Sequence, residues 1–382
     1  ALAEGRPSAD AVAPVTSAPR KPVLVFPGQG AQWVGMARDL LESSEVFAES
    51  MSRCAEALSP HTDWKLLDVV RGDGGPDPHE RVDVLQPVLF SIMVSLAELW
   101  RAHGVTPAAV VGHSQGEIAA AHVAGALSLE AAAKVVALRS QVLRELDDQG
   151  GMVSVGASRD ELETVLARWD GRVAVAAVNG PGTSVVAGPT AELDEFFAEA
   201  EAREMKPRRI AVRYASHSPE VARIEDRLAA ELGTITAVRG SVPLHSTVTG
   251  EVIDTSAMDA SYWYRNLRRP VLFEQAVRGL VEQGFDTFVE VSPHPVLLMA
   301  VEETAEHAGA EVTCVPTLRR EQSGPHEFLR NLLRAHVHGV GADLRPAVAG
   351  GRPAELPTYP FEHQRFWPRP HRPADVSALG VR

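Results

Sequence analysis

The sequence predicts an α/β protein with a parallel β-sheet core and an inserted subdomain of the ferredoxin-like order βαββαβ. Three observations lead to this prediction. Short apolar runs alternate with helix-forming runs over residues 21–150, a pattern typical of parallel sheets. Residues 151–212 then follow the order β-α-β-β-α-β. After this segment the alternation resumes, and it ends near Leu333.

The first predicted strand is VLVF, which starts at Val23 and leads directly into the turn PGQGAQ. A long apolar helix is predicted from Leu85 to Trp100, and a second strand follows it over residues 108–111. Parallel sheets bind their ligands at the carboxyl ends of the strands. We therefore expect Gln29 and Ser114, which follow these two strands, to lie close to a functional site.

The inserted segment is predicted to form four strands and two helices. In chain order they are MVSVG, DELETVLARW, VAVAAVN, SVVAG, AELDEFFAEAEAREM and RRIAV. The predicted domain limits are a core of residues 21–150 and 213–335, the subdomain of residues 151–212, a linker of residues 1–20 and a C-terminal segment of residues 336–382. Residues 1–20 are rich in Ala, Pro and Ser without periodicity, and residues 336–382 end in an aromatic, Pro-rich tail.

Composition argues against several classes of protein. The 382 residues include 37 Lys and Arg and 50 Asp and Glu, a net charge of −13, so the surface as a whole is not suited to nucleic acid. Cys54 and Cys314 have no paired spacing and predict neither a disulfide framework nor a metal site. The N-terminal segment lacks the apolar run of a signal peptide, and no window approaches a membrane span. We expect a cytoplasmic protein with no membrane partner.

The segment VVGHSQGEIAAAH contains the pattern G-x-S-x-G around Ser114. A predicted strand precedes the pattern and a helix follows it, which is the context of a nucleophile elbow that lifts the serine oxygen clear of the sheet. The adjacent helix N-terminus favours negative charge that develops there. The same pattern is also compatible with an ordinary loop of small residues. Ser114 is therefore either a nucleophile or a loop serine.

A nucleophilic serine needs a base, and among 14 histidines His217 is the best candidate. It precedes Ser218 as a predicted helix N-cap and Pro219 as the first helical residue. The positive end of the helix dipole would lower the pKa of this histidine and keep it neutral. The alternative is a loop histidine that caps or packs. We expect His113 to point away from the serine and His122 to be structural.

Arg139 is a third candidate because helical spacing places it within an apolar stripe. Its neighbours three and four residues away are all aliphatic, namely Val135, Val136, Val142 and Leu143. A guanidinium keeps its charge, so its burial is unfavourable unless a carboxylate pairs with it. Arg139 is therefore predicted either to form an internal salt bridge or to bind a substrate carboxylate through two parallel hydrogen bonds.

Five motifs in this order, PGQGAQ, GHSQGEIAAAH, ALRSQ, YASH and WYRNLRRPVLF, resemble the acyltransferase domain of modular type I polyketide synthases. The resemblance runs from about Pro22 to Trp367. It implies an α/β-hydrolase-like core with the inserted subdomain. It also implies that residues 1–20 are the end of a ketosynthase-to-acyltransferase linker and that residues 336–382 form the post-acyltransferase linker.

The resemblance assigns a role to each candidate residue. It implies that Ser114 takes the acyl group from an acyl-CoA and that His217 is the general base. A backbone carbonyl at Asn266 would orient the imidazole, and no acid would complete a triad. The backbone N–H groups of Gln29 and Gln115 would form the oxyanion hole, the second of them in the position that an elbow provides.

The same resemblance implies that Arg139 holds the free carboxylate of a malonyl-type group. The acyl group would then pass from the serine to the phosphopantetheine thiol of an acyl carrier protein, by ping-pong covalent catalysis. A neighbouring ketosynthase in the same polypeptide is a further implied partner. The CoA thioester is a substrate, so no cofactor and no metal are expected.

The segment around the base also predicts the acyl group. Malonyl-selecting members typically have H-A-F-H, whereas this chain has Tyr214, Ala215, Ser216 and His217, which resembles the methylmalonyl-selecting branch. Ser216 in place of a phenylalanine leaves room for a branched acyl chain beside Tyr214. The segment RVDVLQP and Gln115 resemble the same branch. A methyl group changes binding by only about 1–3 kcal/mol, so malonyl selection is the first alternative.

Two further alternatives come from other classes of protein. An α/β-hydrolase-type thioesterase would use the same elbow to release acyl groups to water, and it would have no use for a buried arginine. A non-catalytic docking module would form no acyl-serine at all.

Overall fold

The structure is a computed structural model that describes residues 20–349 and residue 351. One compact unit extends to Leu344, and a second begins at Arg345. Only a short helix of the second unit is described. The linker predicted for residues 1–20 and most of the predicted aromatic tail lie outside the described residues.

The described residues contain ten strands in two five-stranded sheets. The strands are β1 (Val23–Phe26), β2 (Ala109–Gly112), β3 (Gly151–Val155), β4 (Ala174–Gly180), β5 (Thr183–Gly188), β6 (Arg208–Arg209), β7 (Leu244–His245), β8 (Val271–Leu272), β9 (Thr287–Glu290) and β10 (Thr313–Pro316).

The helices of the described chain are α1 (Arg38–Ser43), α2 (Glu45–Leu58), α3 (Leu66–Arg71), α4 (Val82–Ala102), α5 (Gly116–Val123), α6 (Leu129–Leu143), α7 (Arg159–Leu166), α8 (Thr190–Ala202), α9 (Glu225–Leu232), α10 (Ala260–Arg268), α11 (Phe273–Glu282), α12 (Leu298–His307), α13 (Pro325–Val337) and α14 (Arg345–Val348). Short 3₁₀ helices are Arg144–Leu146, Ala167–Trp169, Pro219–Ile224 and Thr255–Ala257.

The first sheet has the strand order β10-β9-β1-β2-β7, and all its neighbouring strands are parallel. Strands β1 and β2 are apolar and buried at every residue, as expected where helices cover both faces of a sheet. Phe26 at the end of β1 is in register with Gly112 at the end of β2. The turns that carry Gln29 and Ser114 therefore leave the same edge of the sheet.

The second sheet has the strand order β6-β3-β5-β4-β8. Strands β3 to β6 pair antiparallel, and α7 and α8 pack on this sheet over a cluster that includes Trp169 and Phe196. The predicted fold class, a parallel sheet with an inserted βαββαβ unit, is confirmed. The sequence did not predict β8, which pairs parallel with β4 although it lies outside residues 151–212.

Helix α4 passes through the core and packs against α2 and α6. The sequence predicted a helix from Leu85 to Trp100, and the structure extends it to Val82–Ala102. By length and composition this helix could cross a membrane, which corrects the expectation that no window approaches a span. However, 94% of its apolar window is buried inside the protein. We interpret α4 as the central core helix of a globular fold.

Candidate active site

Ser114 lies in the turn between β2 and α5 with a positive φ of 53°. Glycine is required on both sides of the serine, at Gly112 and Gly116, because backbone atoms of other residues lie very close to these positions. A Cβ on Gly112 would lie 2.2 Å from the Cα of Glu117, and a Cβ on Gly116 would lie 2.2 Å from the carbonyl oxygen of Phe26. The G-x-S-x-G segment therefore forms a tight strand–turn–helix elbow, with the serine backbone in the left-handed region.

His217 lies against this serine. Its Nε2 is 2.7 Å from Ser114 Oγ, and its Nδ1 is 2.9 Å from the backbone carbonyl oxygen of Arg269. Since a carbonyl only accepts, Nδ1 carries the proton and Nε2 is free to accept one from the serine hydroxyl. The histidine is itself held at a positive φ of 57° by its backbone N–H, which donates to the carbonyl of Leu267.

The assignment of the orienting carbonyl to Asn266 is wrong, because the carbonyl belongs to Arg269. Asn266 lies in the last turn of α10, whereas Arg269 is the extended C-cap residue just after that helix. The carbonyl of the C-cap is directed out of the helix and can meet the imidazole. The side chain of Asn266 has a different set of partners, described below.

Burial and, to a smaller extent, the nearby positive charge of Arg139 lower the pKa of His217 to about 3. The direction of this shift agrees with the sequence-based prediction, which attributed it to a helix dipole. Ser218 does cap the 3₁₀ helix that begins at Pro219, by accepting from the backbone N–H of Glu220. The larger cause is desolvation, because His217 is only 4% exposed. The imidazole is therefore neutral at neutral pH.

The two predicted oxyanion-hole residues flank the serine. Gln115 is the N-cap residue of α5 and directly follows Ser114. The Gly28–Gln29 turn packs on the elbow, since a Cβ on Gly28 would lie 3.7 Å from Ser114 Cβ. Within the described residues, neither Gln29 nor Gln115 donates its backbone N–H to a protein acceptor. Both donors are thus available for a ligand oxygen.

Arg139 is fully enclosed, with 1% of its surface exposed. Its Nη1 donates to Gln86 Oε1 at 2.9 Å and its Nη2 to Asn266 Oδ1 at 3.3 Å. Its Nε has no partner, and no carboxylate forms an ion pair with it anywhere in the described chain. Burial lowers its pKa to about 10, so the guanidinium still carries its charge at neutral pH. The internal salt bridge considered from the sequence is absent from the described residues.

Asn266 connects Arg139 to the elbow. Its Nδ2 donates to the backbone carbonyl of Ser114 at 3.2 Å and lies 3.5 Å from Glu117 Oε2. Glu117 is completely buried and accepts from the Tyr262 hydroxyl and from both the backbone N–H and the hydroxyl of Thr247. A chain of polar contacts therefore joins the buried carboxylate to the guanidinium through one neutral amide.

Gln86 and Glu117 were not predicted from the sequence. Each is a polar residue within a largely apolar run, in VDVLQPVLF and GEIAAAH. In a buried helix such a residue must find a polar partner, which is the signal that could have identified both.

The remaining candidates lie around the same residues. Tyr214 is buried and donates its hydroxyl to Gln29 Oε1, and burial raises its pKa. Ser216 is also buried and donates to Met152 Sδ at 3.4 Å. His113 Nε2 is 2.8 Å from Asn179 Oδ1 on the second sheet. It therefore points away from the serine, as expected.

His122 Nδ1 lies 3.1 Å from the carbonyl of Leu127, a contact that supports a structural role. Both amide atoms of the buried Gln115 side chain lack a protein partner in the described chain. A cleft of about 790 Å³ is lined in part by Gln29 and Tyr214. In the described chain no group of three or more metal-ligating side chains is arranged to hold a metal ion.

Comparison with known proteins identifies the family. Residues 23–342 match the family described as acyl transferase domain. The chain belongs to this family. It is 55% identical over 355 residues to erythronolide synthase EryA3 of Saccharopolyspora erythraea, covering 92% of this chain and 11% of that protein. It is 49% identical over 384 residues to polyketide synthase GfsB of Streptomyces halstedii, covering 100% of this chain and 7% of that protein.

This acyl transferase domain thus spans about a tenth of the length of these relatives. Two solved structures are similar to it. The acyltransferase domain from module 8 of the salinomycin polyketide synthase has a TM-score of 0.86 and 50% identity, covering 90% of this chain and 81% of that one. A loading acyltransferase from the avermectin modular polyketide synthase has a TM-score of 0.79 and 47% identity, covering 82% and 99%. The resemblance to polyketide synthase acyltransferases and the α/β-hydrolase-like fold are confirmed.

Proposed function

We propose that this acyl transferase domain loads a methylmalonyl extender unit from methylmalonyl-CoA onto Ser114 and transfers it to the phosphopantetheine thiol of an acyl carrier protein. The observation that carries the proposal is the buried, charged Arg139, which has no carboxylate partner in the described chain and lies one side chain away from the Ser114–His217 pair. A site of this kind supplies both a nucleophile and a receptor for a carboxylate.

In the first half-reaction His217 Nε2 accepts the proton of Ser114 Oγ while the oxygen attacks the thioester carbon. The carbonyl oxygen becomes negatively charged, and the backbone N–H groups of Gln29 and Gln115 stabilise it. The carbonyl of Arg269 holds the imidazole and stabilises the imidazolium that forms. As the tetrahedral intermediate collapses, the C–S bond breaks and His217 returns its proton to the sulfur of CoA. An acyl ester on Ser114 remains.

In the second half-reaction the phosphopantetheine thiol of the carrier protein attacks the carbonyl carbon of the acyl-serine. A C–S bond forms, the C–O bond to Ser114 breaks, and the acyl group leaves as a thioester of the carrier protein. His217 accepts the thiol proton and returns it to Ser114 Oγ, so the enzyme is regenerated. Every proton and electron pair in this sequence is supplied by the two substrates, Ser114 and His217. We therefore propose that the reaction needs no cofactor and no metal.

Arg139 would bind the free carboxylate of the extender unit. A buried guanidinium that keeps its charge gains a strong, charge-assisted pair of hydrogen bonds from such a group. An acyl group without a carboxylate would leave Arg139 unpaired and would bind less well.

The selection of methylmalonyl over malonyl is the finer part of the proposal. Ser216 is small and packs against Met152, so it supports a wider pocket than a phenylalanine at this position would. Because a methyl group changes binding by about 1–3 kcal/mol, we expect a preference rather than strict exclusion. We further propose that the domain acts in the cytoplasm, beside a ketosynthase in the same polypeptide.

Intact-mass spectrometry tests the proposal directly. The protein is mixed with equal concentrations of methylmalonyl-CoA and malonyl-CoA and is analysed within seconds, with Ser114→Ala as the control. A dominant methylmalonyl adduct that the control lacks is the expected result.

The other outcomes separate the alternatives. A dominant malonyl adduct would refute the methylmalonyl preference but keep the acyl transfer. Free CoA without an adduct would indicate a thioesterase, and neither product would indicate a docking module.

A further inference from the structure

Both side chains that hold the Arg139 guanidinium are neutral amides. Gln86 and Asn266 each supply one amide oxygen, and both residues are almost completely buried. They come from different helices, α4 and α10, so the arginine is held on two sides. The guanidinium is therefore positioned by two hydrogen bonds that add no negative charge.

The buried carboxylates Glu117 and Asp83 are occupied by other partners. Glu117 accepts from Tyr262 and Thr247, and it reaches Arg139 only through the amide of Asn266. Asp83, three residues before Gln86 on α4, pairs with two arginines, Arg81 and Arg144. Neither acid forms an ion pair with Arg139.

A neutral oxygen and a carboxylate oxygen have different consequences at this position. An amide oxygen accepts a hydrogen bond and fixes the direction of the guanidinium, but it adds no negative charge. A carboxylate in the same place would form a buried ion pair, and a second carboxylate from a substrate would then meet a neutralised arginine. The electrostatic attraction between Arg139 and a substrate carboxylate therefore depends on the neutrality of the Gln86 and Asn266 side chains.

We propose that Gln86 and Asn266 are positioning residues that determine specificity for the acyl group, because they hold Arg139 by neutral oxygens and so reserve its charge for the carboxylate of the substrate. The proposal rests on the proposed acyl transfer to Ser114. It predicts that one isosteric change of an amide to a carboxylate removes the preference for carboxylated acyl groups while the guanidinium stays in place.

Gln86 is the better position to test. Unlike Asn266, it makes no hydrogen bond to the elbow or to Glu117. Its other polar neighbour is the Tyr214 hydroxyl, so a change there leaves the contacts of the elbow in place. The test variant is Gln86→Glu, and the matched control is Gln86→Met, which has similar size and flexibility but no charge. The acyl donors are methylmalonyl-CoA and propionyl-CoA, which differ by the carboxylate.

The readout is the ratio of kcat/KM for the two donors, measured as acyl-Ser114 formation. In Gln86→Glu we expect this ratio to fall roughly 10- to 100-fold, the effect of losing one charge-assisted hydrogen bond, mainly through a higher KM for methylmalonyl-CoA. In Gln86→Met we expect the ratio to remain within a few-fold of the wild type. A role limited to geometry would lower the ratio equally in both variants, and that result would overturn the proposal.

An unchanged ratio in Gln86→Glu would overturn it as well. If thermal unfolding shows that Gln86→Glu does not fold, Asn266→Asp tests the same prediction at the second amide, with Asn266→Leu as its neutral control. Failure of the proposed function has a separate signature. Wild-type protein that forms an acyl-serine with neither donor refutes the acyl transfer, whereas wild-type loading with an unchanged ratio in the carboxylate variant refutes this inference alone.

Discussion

Lowering the pH from 7 to 5 tests how strongly burial controls the protonation of His217, the proposed base. A histidine with an ordinary pKa of 6.5 would be only about 3% neutral at pH 5, and its rate would fall roughly 25-fold from the value at pH 7. Burial lowers the pKa of His217 to about 3, so about 99% of it remains neutral at pH 5. We therefore expect the rate of acyl-serine formation to change by less than about twofold over this range.

The assay is rapid-quench measurement of acyl-Ser114 at limiting methylmalonyl-CoA, because kcat/KM reports the pKa of the free enzyme. Circular dichroism at each pH confirms that the protein remains folded. If the folded protein lost rate 25-fold between pH 7 and pH 5, with an apparent pKa near 6.5, desolvation would not be what keeps this histidine neutral.

The same shift predicts the pH dependence of stability. His217 binds a proton more weakly in the folded than in the unfolded chain, so its contribution to stability is present above pH 6.5 and is lost as the pH falls towards 3. The loss is about 1.4 kcal/mol per pH unit within this window. His217→Gln lacks the titrating ring, and we expect its free energy of unfolding to fall less steeply with decreasing pH. Parallel curves for the two proteins would contradict this prediction.

Three substitutions test other parts of the site. Ser114→Gly removes a non-glycine residue from the left-handed region, so we expect its free energy of unfolding to rise by about 1 kcal/mol and the acyl adduct to be lost completely. Unchanged or lower stability would contradict backbone strain at Ser114. Gly116→Ala places a Cβ against the carbonyl of Phe26, so we expect little soluble protein on expression, and a normally stable variant would contradict the close approach. Arg139→Ala removes the proposed receptor for the carboxylate, so kcat/KM for methylmalonyl-CoA should fall about 100-fold or more and that for propionyl-CoA far less. Equal losses for the two donors would contradict the role of the charge.

The fold could be predicted where local patterns carry the information. Buried strands such as Val23–Phe26 are continuous apolar runs, and the two helices of the inserted unit have clear periodicity, so their order alone indicates the class. Strand β8 has only two residues and pairs with a segment almost a hundred positions earlier in the chain. A run of two residues is too short to show the alternation of a strand. Val271–Leu272 forms a strand because it pairs with β4 in the folded protein.

The site could be predicted in part for similar reasons. The elbow around Ser114 is a local motif, and the apolar stripe around Arg139 shows burial from spacing alone. The partner of Arg139 could not be deduced, since Gln86 and Asn266 are 53 and 127 positions away and only packing brings them together. The assignment of the orienting carbonyl to Asn266 failed by three residues. Pro270 marks the end of α10 and so makes Arg269 the residue whose carbonyl leaves the helix, a signal that the assignment to Asn266 did not use.

The pairing of β8 with β4 has a consequence for building chimeric enzymes. The insertion of residues 151–212 begins and ends as a contiguous block of sequence, which invites its exchange between homologous domains as a cassette. Its sheet, however, is completed by Val271–Leu272, and that pair lies one residue after the stretch Leu267–Arg269, whose carbonyls bind His217. A graft of residues 151–212 alone would pair β4 of one parent with β8 of the other. A graft that also includes residues 266–272 takes β4, β8 and the carbonyls that bind His217 from the same parent.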